Sequence, residues 1–253
     1  MKRFCLSCAS WLLAAHCLAG SFSVAFDGVD DSMMTTTAVS GLPIAAADNW
    51  TMSVWINPVD AYNGDVFFTW GQAPPAMVTG QQRGILRYGS VIFFWASGSA
   101  GDIAFTKDFN LGTWNHVVVT KSGATGYCYH DGVYLKNEAM TLVAPTNATV
   151  CIGGPDWGLS WARSTIADPR IWNRALTANE IATIYRTRGR VSPRDGLVFE
   201  LDNPVVPTGG SMDGIAPIDR SGLDNAPTGD NGGNDTGLTA AGTIIRKRGP
   251  RSN

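Results

Sequence analysis

The stretch that most constrains the fold is Trp114 to Gly132, WNHVVVTKSGATGYCYHDG. Two β-rich runs, Trp114 to Lys121 and Gly126 to His130, flank a polar, glycine-containing turn at Ser122 to Thr125, which reads as a hairpin with a slightly long loop. Val117, Val118 and Val119 are consecutive, so no alternation of apolar and polar faces is possible there. Such a strand must be covered on both sides, which places it in the middle of a layered β structure.

The rest of the chain supplies the layers. Phe22, Val24 and Phe26 alternate with small residues, as in a half-buried strand, and run into the tight turn of Asp27-Gly28. Met33 to Val39 reads as a second strand. In WTMSVWINP, Trp50, Met52, Val54 and Ile56 share one face, Trp55 lies on the other, and Pro58 ends the run. Short strands follow at Asp65 to Trp70, Gly84 to Tyr88, Val91 to Ala96, Asp102 to Phe105, Val133 to Leu135 and Thr149 to Ile152, with turn signals between them. This spacing indicates an antiparallel sandwich or barrel, an all-β chain. One helix stands out, at 177–188. Thr177-Ala178-Asn179-Glu180 is a capping box, and Ile181, Ile184 and Tyr185 give a single apolar stripe, so a short surface helix on the β core is expected.

With 44% hydrophobic and 16% charged residues, 253 residues can fill one large β domain. Net charge is −2, and removal of Lys2 and Arg3 with a leader would make it −4. That mild acidity argues against nucleic acid as a partner. Residues 1–20 resemble a secretory leader: two basic residues, an apolar run from Phe4 to Ala15, and small residues around Ala19, after which cleavage is expected. A lipoprotein anchor on Cys17 is disfavoured by His16. A secreted or surface-exposed protein, including a virion surface protein, is therefore expected, and nothing after residue 20 is long and apolar enough to span a bilayer. Without the leader two cysteines remain, Cys128 and Cys151, for which a disulfide and two buried thiols are both open.

Six segments, in order, resemble the laminin-G-like or concanavalin-A-like jelly-roll family, in particular its bacterial and phage-associated branch. They are FDGVDD from Phe26, MSVWINP from Met52, WNHVVVT from Trp114, YHDG from Tyr129, CIGG from Cys151 and IADPRIWNRALTANEIATIY from Ile166. The resemblance implies two curved antiparallel sheets, recognition on a concave face or rim loops, and in many relatives a calcium ion. Hard cations favour clustered oxygens, which makes Asp27, Asp30 and Asp31 candidate ligands. In the jelly-roll arrangement the strand after Ile166 lies near the first strand, and Asp168 is expected to join them. One departure is evident. Leu197 to Asp202 and the turn after Asp219 resemble pieces that relatives place before the Phe-Asp-Gly strand. Residues 21–189 are thus expected to form the sandwich, and the polar residues 190–253 to fold back as an edge strand, pair with a neighbouring chain in a homo-oligomer, or begin a second repeat.

Catalysis is disfavoured. A glycosidase needs two carboxylates across the scissile bond, yet the glutamates are Glu138, expected in a loop, Glu180 in the helix cap and Glu200 in the tail. His116 and His130 alternate into strands and are expected to be buried and hydrogen-bonded. For binding, the loop GGPDWGLSWARS offers Trp157 and Trp161 with Asp156 and Arg163, flat aromatic faces beside polar groups that suit a sugar ring or a peptide side chain. Trp50, Trp55, Trp114 and Trp172 are assigned to the core, while Trp70 and Trp95 are open. The expectation is a secreted, non-catalytic module that binds glycan or a cell-surface protein, with assembly of a cell surface or virion as the alternative.

Overall fold

The computed structural model describes residues 23–29, 31–35, 38–59, 64–71, 78–89, 91–96, 101–105, 110–145, 148–154, 161–202, 218–223, 228–230 and 239–240. The leader, Asp30, Asp156 and Trp157 lie outside them. Strands are β1 (Ser23–Asp27), β2 (Ser32–Met34), β3 (Trp50–Pro58), β4 (Val66–Gly71), β5 (Gln82–Tyr88), β6 (Val91–Trp95), β7 (Ile103–Phe105) and β8 (Asn115–Ser122). They continue with β9 (Thr125–His130), β10 (Val133–Ala139), β11 (Thr149–Ile152), β12 (Arg163–Trp172), helix α1 (Ala178–Thr187), β13 (Leu197–Asp202), β14 (Ile218–Asp219), β15 (Thr228–Asp230) and β16 (Thr239–Ala240).

Two antiparallel sheets form a sandwich. One runs β10, β9, β8, β3, β12, β1, β16, with β13 and β14 added beside β12, and the other runs β15, β2, β11, β4, β5, β6, β7. Trp50, Met52, Val54, Ile56, Val117 and Val119 face inward against Phe68, Trp70, Ile85 and Phe94 of the second sheet. The valine triplet is buried throughout because Val118, on the outer face, is covered by Ile181 and Ile184 of α1, together with Trp172 and Leu176. The helix begins as its sequence requires. Thr177 caps it through a complete capping box, and it stops at Arg188, which is left-handed at φ 56°.

The central hairpin is tighter than expected. Ser122 and Thr125 pair directly, leaving Gly123 and Ala124 as the loop, and Gly123 has φ 59°, as a type II′ turn requires at its first central position. At the next turn Asp131 (φ 52°) and Gly132 (φ 77°) are both left-handed, matching type I′. Glu138 is not in a loop: β10 extends to Ala139 as an exposed edge strand in which Glu138 pairs with Lys136.

Beyond residue 189 the described strands join the two sheets. β13 pairs with β12 of its own chain, with Arg170 opposite Glu200 and Ile171 opposite Phe199. Val198, Phe199 and Leu201 are buried in the main core, Phe199 stacked on Phe68 at 6.2 Å. β15 then pairs with β2, and β16 with β1. Of the three arrangements open for the tail, its described strands therefore take the intramolecular one, because the alternating Leu197, Phe199 and Leu201 find buried apolar surface beside β12.

Candidate functional site

The rim where β1, β11 and β12 meet is built around two glycines. Gly153 has φ 87°, and a Cβ there would stand 2.1 Å from the Phe26 ring; at Gly154 a Cβ would stand 2.0 Å from Trp161 Cε3. Two aromatic rings thus press directly on bare backbone. The Gly153 amide donates to the Phe67 carbonyl (3.1 Å), and the Ala162 amide donates to the Gly153 carbonyl (2.6 Å), which closes the base of the loop. The Cys151 thiol donates to the Gly154 carbonyl. Trp161 is held in this way as a half-buried plate over Gly154.

Arg163, exposed at the start of β12, stands opposite Asp27 in the antiparallel register. Gly28 is the close contact, since a Cβ there would lie 2.8 Å from Arg163 Cβ. The Asp27 Oδ1 accepts from the Val29 amide (2.8 Å), and Asp31 Oδ2 accepts from the Asp27 amide (2.9 Å), folding the turn back on itself. Trp161, Arg163 and Asp27 therefore share one rim, as the loop motif suggested for the first two. Their partners Asp156 and Trp157 fall outside the described residues.

Asp168, expected to join the aspartates of the first turn, lies away from Asp27. β1 and β12 are neighbours, but Asp27 pairs with Arg163 while Ser23 pairs with Ala167, so Asp168 lies past the opposite end of β1. Five strand residues separate it from the level of Asp27, roughly 17 Å. Asp168 instead sits buried in a bulge of β12, left-handed at φ 47°, with Oδ2 4.0 Å from Arg170 Nη2. Among the described residues no three His, Cys, Asp or Glu side chains are grouped as metal ligands.

The two cysteines do not form a disulfide. Cys128 belongs to β9 and Cys151 to β11, in opposite sheets, and both are buried. Burial pushes the Cys128 thiol well above its ordinary pKa. His116 is buried with Nε2 2.9 Å from Ser53 Oγ and is stacked on Trp55 at 4.7 Å, while His130 Nε2 lies 3.1 Å from Asn115 Oδ1. Glu180 is occupied by Arg174 (2.7 Å) and the Thr177 cap, which hold its carboxyl at about 2. Glu200 is buried between Arg170 (2.7 Å) and Arg194.

A second surface was not legible as such in the sequence. Register pairs Gly84 with Trp95 and Leu86 with Phe93, on the side of the second sheet turned away from the core, where Phe93 and Trp95 are half-buried. Gly84 leaves room there, because a Cβ would come within 2.6 Å of Leu86 Cδ1. The run VIFFW is apolar throughout and hides its alternation. Only pairing separates the outward Phe93 and Trp95 from Phe94, which packs on Trp50 at 5.4 Å. Trp70, also open in the sequence, is fully buried in the core.

A family model described as the Concanavalin A-like lectin/glucanases superfamily matches residues 27–182, more than half of the chain. A search of curated protein sequences finds no match. Among solved structures the fold is similar to a heptameric SAP-like pentraxin of Limulus polyphemus (17% identity, TM-score 0.54, 73% of this chain and 92% of that one). It is also similar to a Bacteroides ovatus protein proposed to bind carbohydrate (15% identity, TM-score 0.58, 83% of this chain and 59% of that one). A Trypanosoma rangeli sialidase solved with sialic acid matches at 21% identity and TM-score 0.52, over 67% of this chain and 28% of its own. At these identities the likeness is one of fold.

Proposed function

The chain belongs to the Concanavalin A-like lectin/glucanases superfamily, and from that premise we propose that it is a non-catalytic carbohydrate-recognition module acting outside the cell. The observation that carries the reading is Trp161, held flat over Gly154 and half-exposed beside Arg163 and Asp27. An indole face packs against the C–H face of a pyranose, and a guanidinium and a carboxylate at its edge hydrogen-bond the hydroxyls, a mostly apolar surface with a few placed polar groups. The fixed loop lowers the ordering cost of binding. The Bacteroides ovatus neighbour supports a sugar ligand, and the leader-like start supports secretion. The absence of catalysis rests on Glu180 and Glu200, each committed to arginines. Binding to a glycan array, repeated with Trp161→Ala and Trp95→Ala, tests the site. Loss in Trp161→Ala with binding kept in Trp95→Ala supports the rim, and the reverse pattern moves recognition to the outer face of β5 and β6. Turnover of any bound polysaccharide refutes the non-catalytic assignment.

Calcium enters the proposal only at the Asp27 to Asp31 turn, where the carboxylates of Asp27 and Asp31 lie close together. Added calcium should raise the melting temperature and a chelator lower it. An unchanged melting temperature removes the ion from the proposal.

A further inference from the structure

At the end of the sandwich opposite the Trp161 rim, two cations, Arg83 and Lys121, are buried with no carboxylate within ion-pair distance among the described residues. β5 carries two arginines on its inward face, four residues apart. Arg87 is 1% exposed and is neutralised by Asp65, equally buried, at 2.5 Å. Arg83 is 0% exposed, and among the described residues its hydrogen bonds go to backbone carbonyls: Nη1 to Gly80 (3.0 Å) and Gln81 (2.6 Å), Nη2 to Val143 (3.1 Å). Its guanidinium lies over the ring of Trp70, 5.2 Å from the centroid. Lys121 is 2% exposed, and Nζ donates to the Asp48 carbonyl at 2.9 Å. Its strand neighbour Trp50 meets Trp70 edge to face at 5.8 Å, which brings both cations to one aromatic-floored end of the core.

Carbonyl dipoles hold these groups in place but do not cancel their charge, and a buried cation without a counter-ion is costly. The charge of Arg83 also works against that of Lys121. Burial and then the charge of Arg83 depress the Lys121 pKa, against a weaker pull from Asp48, and burial lowers Arg83 to about 10. Two donors in the same cluster are also unused, since Arg83 Nε and Trp70 Nε1 are buried with no hydrogen-bond partner among the described residues. Asn49, Gly123 and Val143, which border this end, are exposed.

We propose that this end of the sandwich binds a single oxyanion, a sulfate, phosphate or carboxylate, with Arg83 and Lys121 supplying the charge and Arg83 Nε and Trp70 Nε1 the uncommitted hydrogen bonds. The site is separate from the Trp161 rim and does not depend on it. The test is thermal melting and calorimetric titration of the full chain at constant ionic strength, replacing sodium chloride with sodium sulfate. In parallel arms, a glucuronate-terminated oligosaccharide and its neutral parent are titrated. Wild type should show a saturable rise in melting temperature with sulfate, and Lys121→Met should weaken the apparent affinity about tenfold or more, the scale for removing one partner of a buried charge contact. Arg83→Met should abolish the response; if it does not fold, Lys121→Met carries the test, because Lys121 gives up a single carbonyl hydrogen bond. Tighter binding of the glucuronate sugar than of sulfate, with none of the neutral sugar, assigns the anion to a glycan, and the opposite order assigns it to a free ion. No saturable response to either anion, or equal affinity in wild type and Lys121→Met, overturns the proposal.

Discussion

Replacing Phe199 with alanine tests whether the polar C-terminal segment is part of the folded body. Phe199 is 0% exposed, lies in β13 opposite Ile171 of β12, and stacks on Phe68 of the other sheet. Truncating a buried phenylalanine leaves a cavity that costs about 3–5 kcal/mol. In a domain of this size each kcal/mol lowers the melting temperature by about 2–4 °C, so Phe199→Ala should melt roughly 6–20 °C below wild type. Ending the chain at Arg190 removes Leu197, Val198, Phe199 and Leu201 together, all buried. At about 1.5–3 kcal/mol per side chain the loss is roughly 6–12 kcal/mol, as large as the whole stability of many domains. That truncated chain should show no cooperative unfolding transition in urea by far-UV circular dichroism. Val191, in the same segment but 56% exposed, is the control; Val191→Ala should stay within about 0.5 kcal/mol of wild type. Wild-type melting of Phe199→Ala, or a cooperative transition at the wild-type midpoint in the truncated chain, would refute the placement of β13 in the core.

Gly154→Ala should displace Trp161, because the added methyl would meet Cε3 at 2.0 Å; the expected readouts are a red-shifted tryptophan emission and a loss of about 1–3 kcal/mol from overpacking, and unchanged emission would contradict the geometry. Cys128 and Cys151, unbridged and buried, should resist alkylation in the native chain and react after denaturation, as read by peptide mass spectrometry; a melting temperature that falls on adding reductant would show a disulfide instead. Glu200 gives a pH dependence of known sign. Burial acts to raise its pKa, but Arg170 and Arg194 outweigh it and hold the folded value below normal. Its ionised form therefore stabilises the fold above the unfolded value of about 4.3, and that contribution disappears as pH falls through the folded pKa. The urea midpoints of wild type and Glu200→Gln should differ at neutral pH and converge in acid, and a constant gap would disprove the charge assignment.

What the sequence alone determined are the features encoded within a few residues. The Thr177 to Glu180 capping box set the helix start, the alternation of Trp50, Met52, Val54 and Ile56 set which face of β3 enters the core, and the valine triplet announced a strand buried on both sides. Each is local, because a cap closes hydrogen bonds across three residues and a strand turns its side chains every second residue. The rim also showed itself locally, since Gly153, Gly154, Trp161 and Arg163 sit within one connection. Tertiary structure alone decided which distant segments meet. It placed Asp168 beyond the far end of β1 from Asp27, inserted Leu197 to Asp202 beside β12, turned Trp95 outward and Trp70 inward, and gave Arg83 backbone carbonyls among the described residues where Arg87 has a carboxylate. These outcomes depend on strand register and on which surface buries most, and a one-residue slip in pairing exchanges the two faces of a strand; no short stretch of chain contains that information.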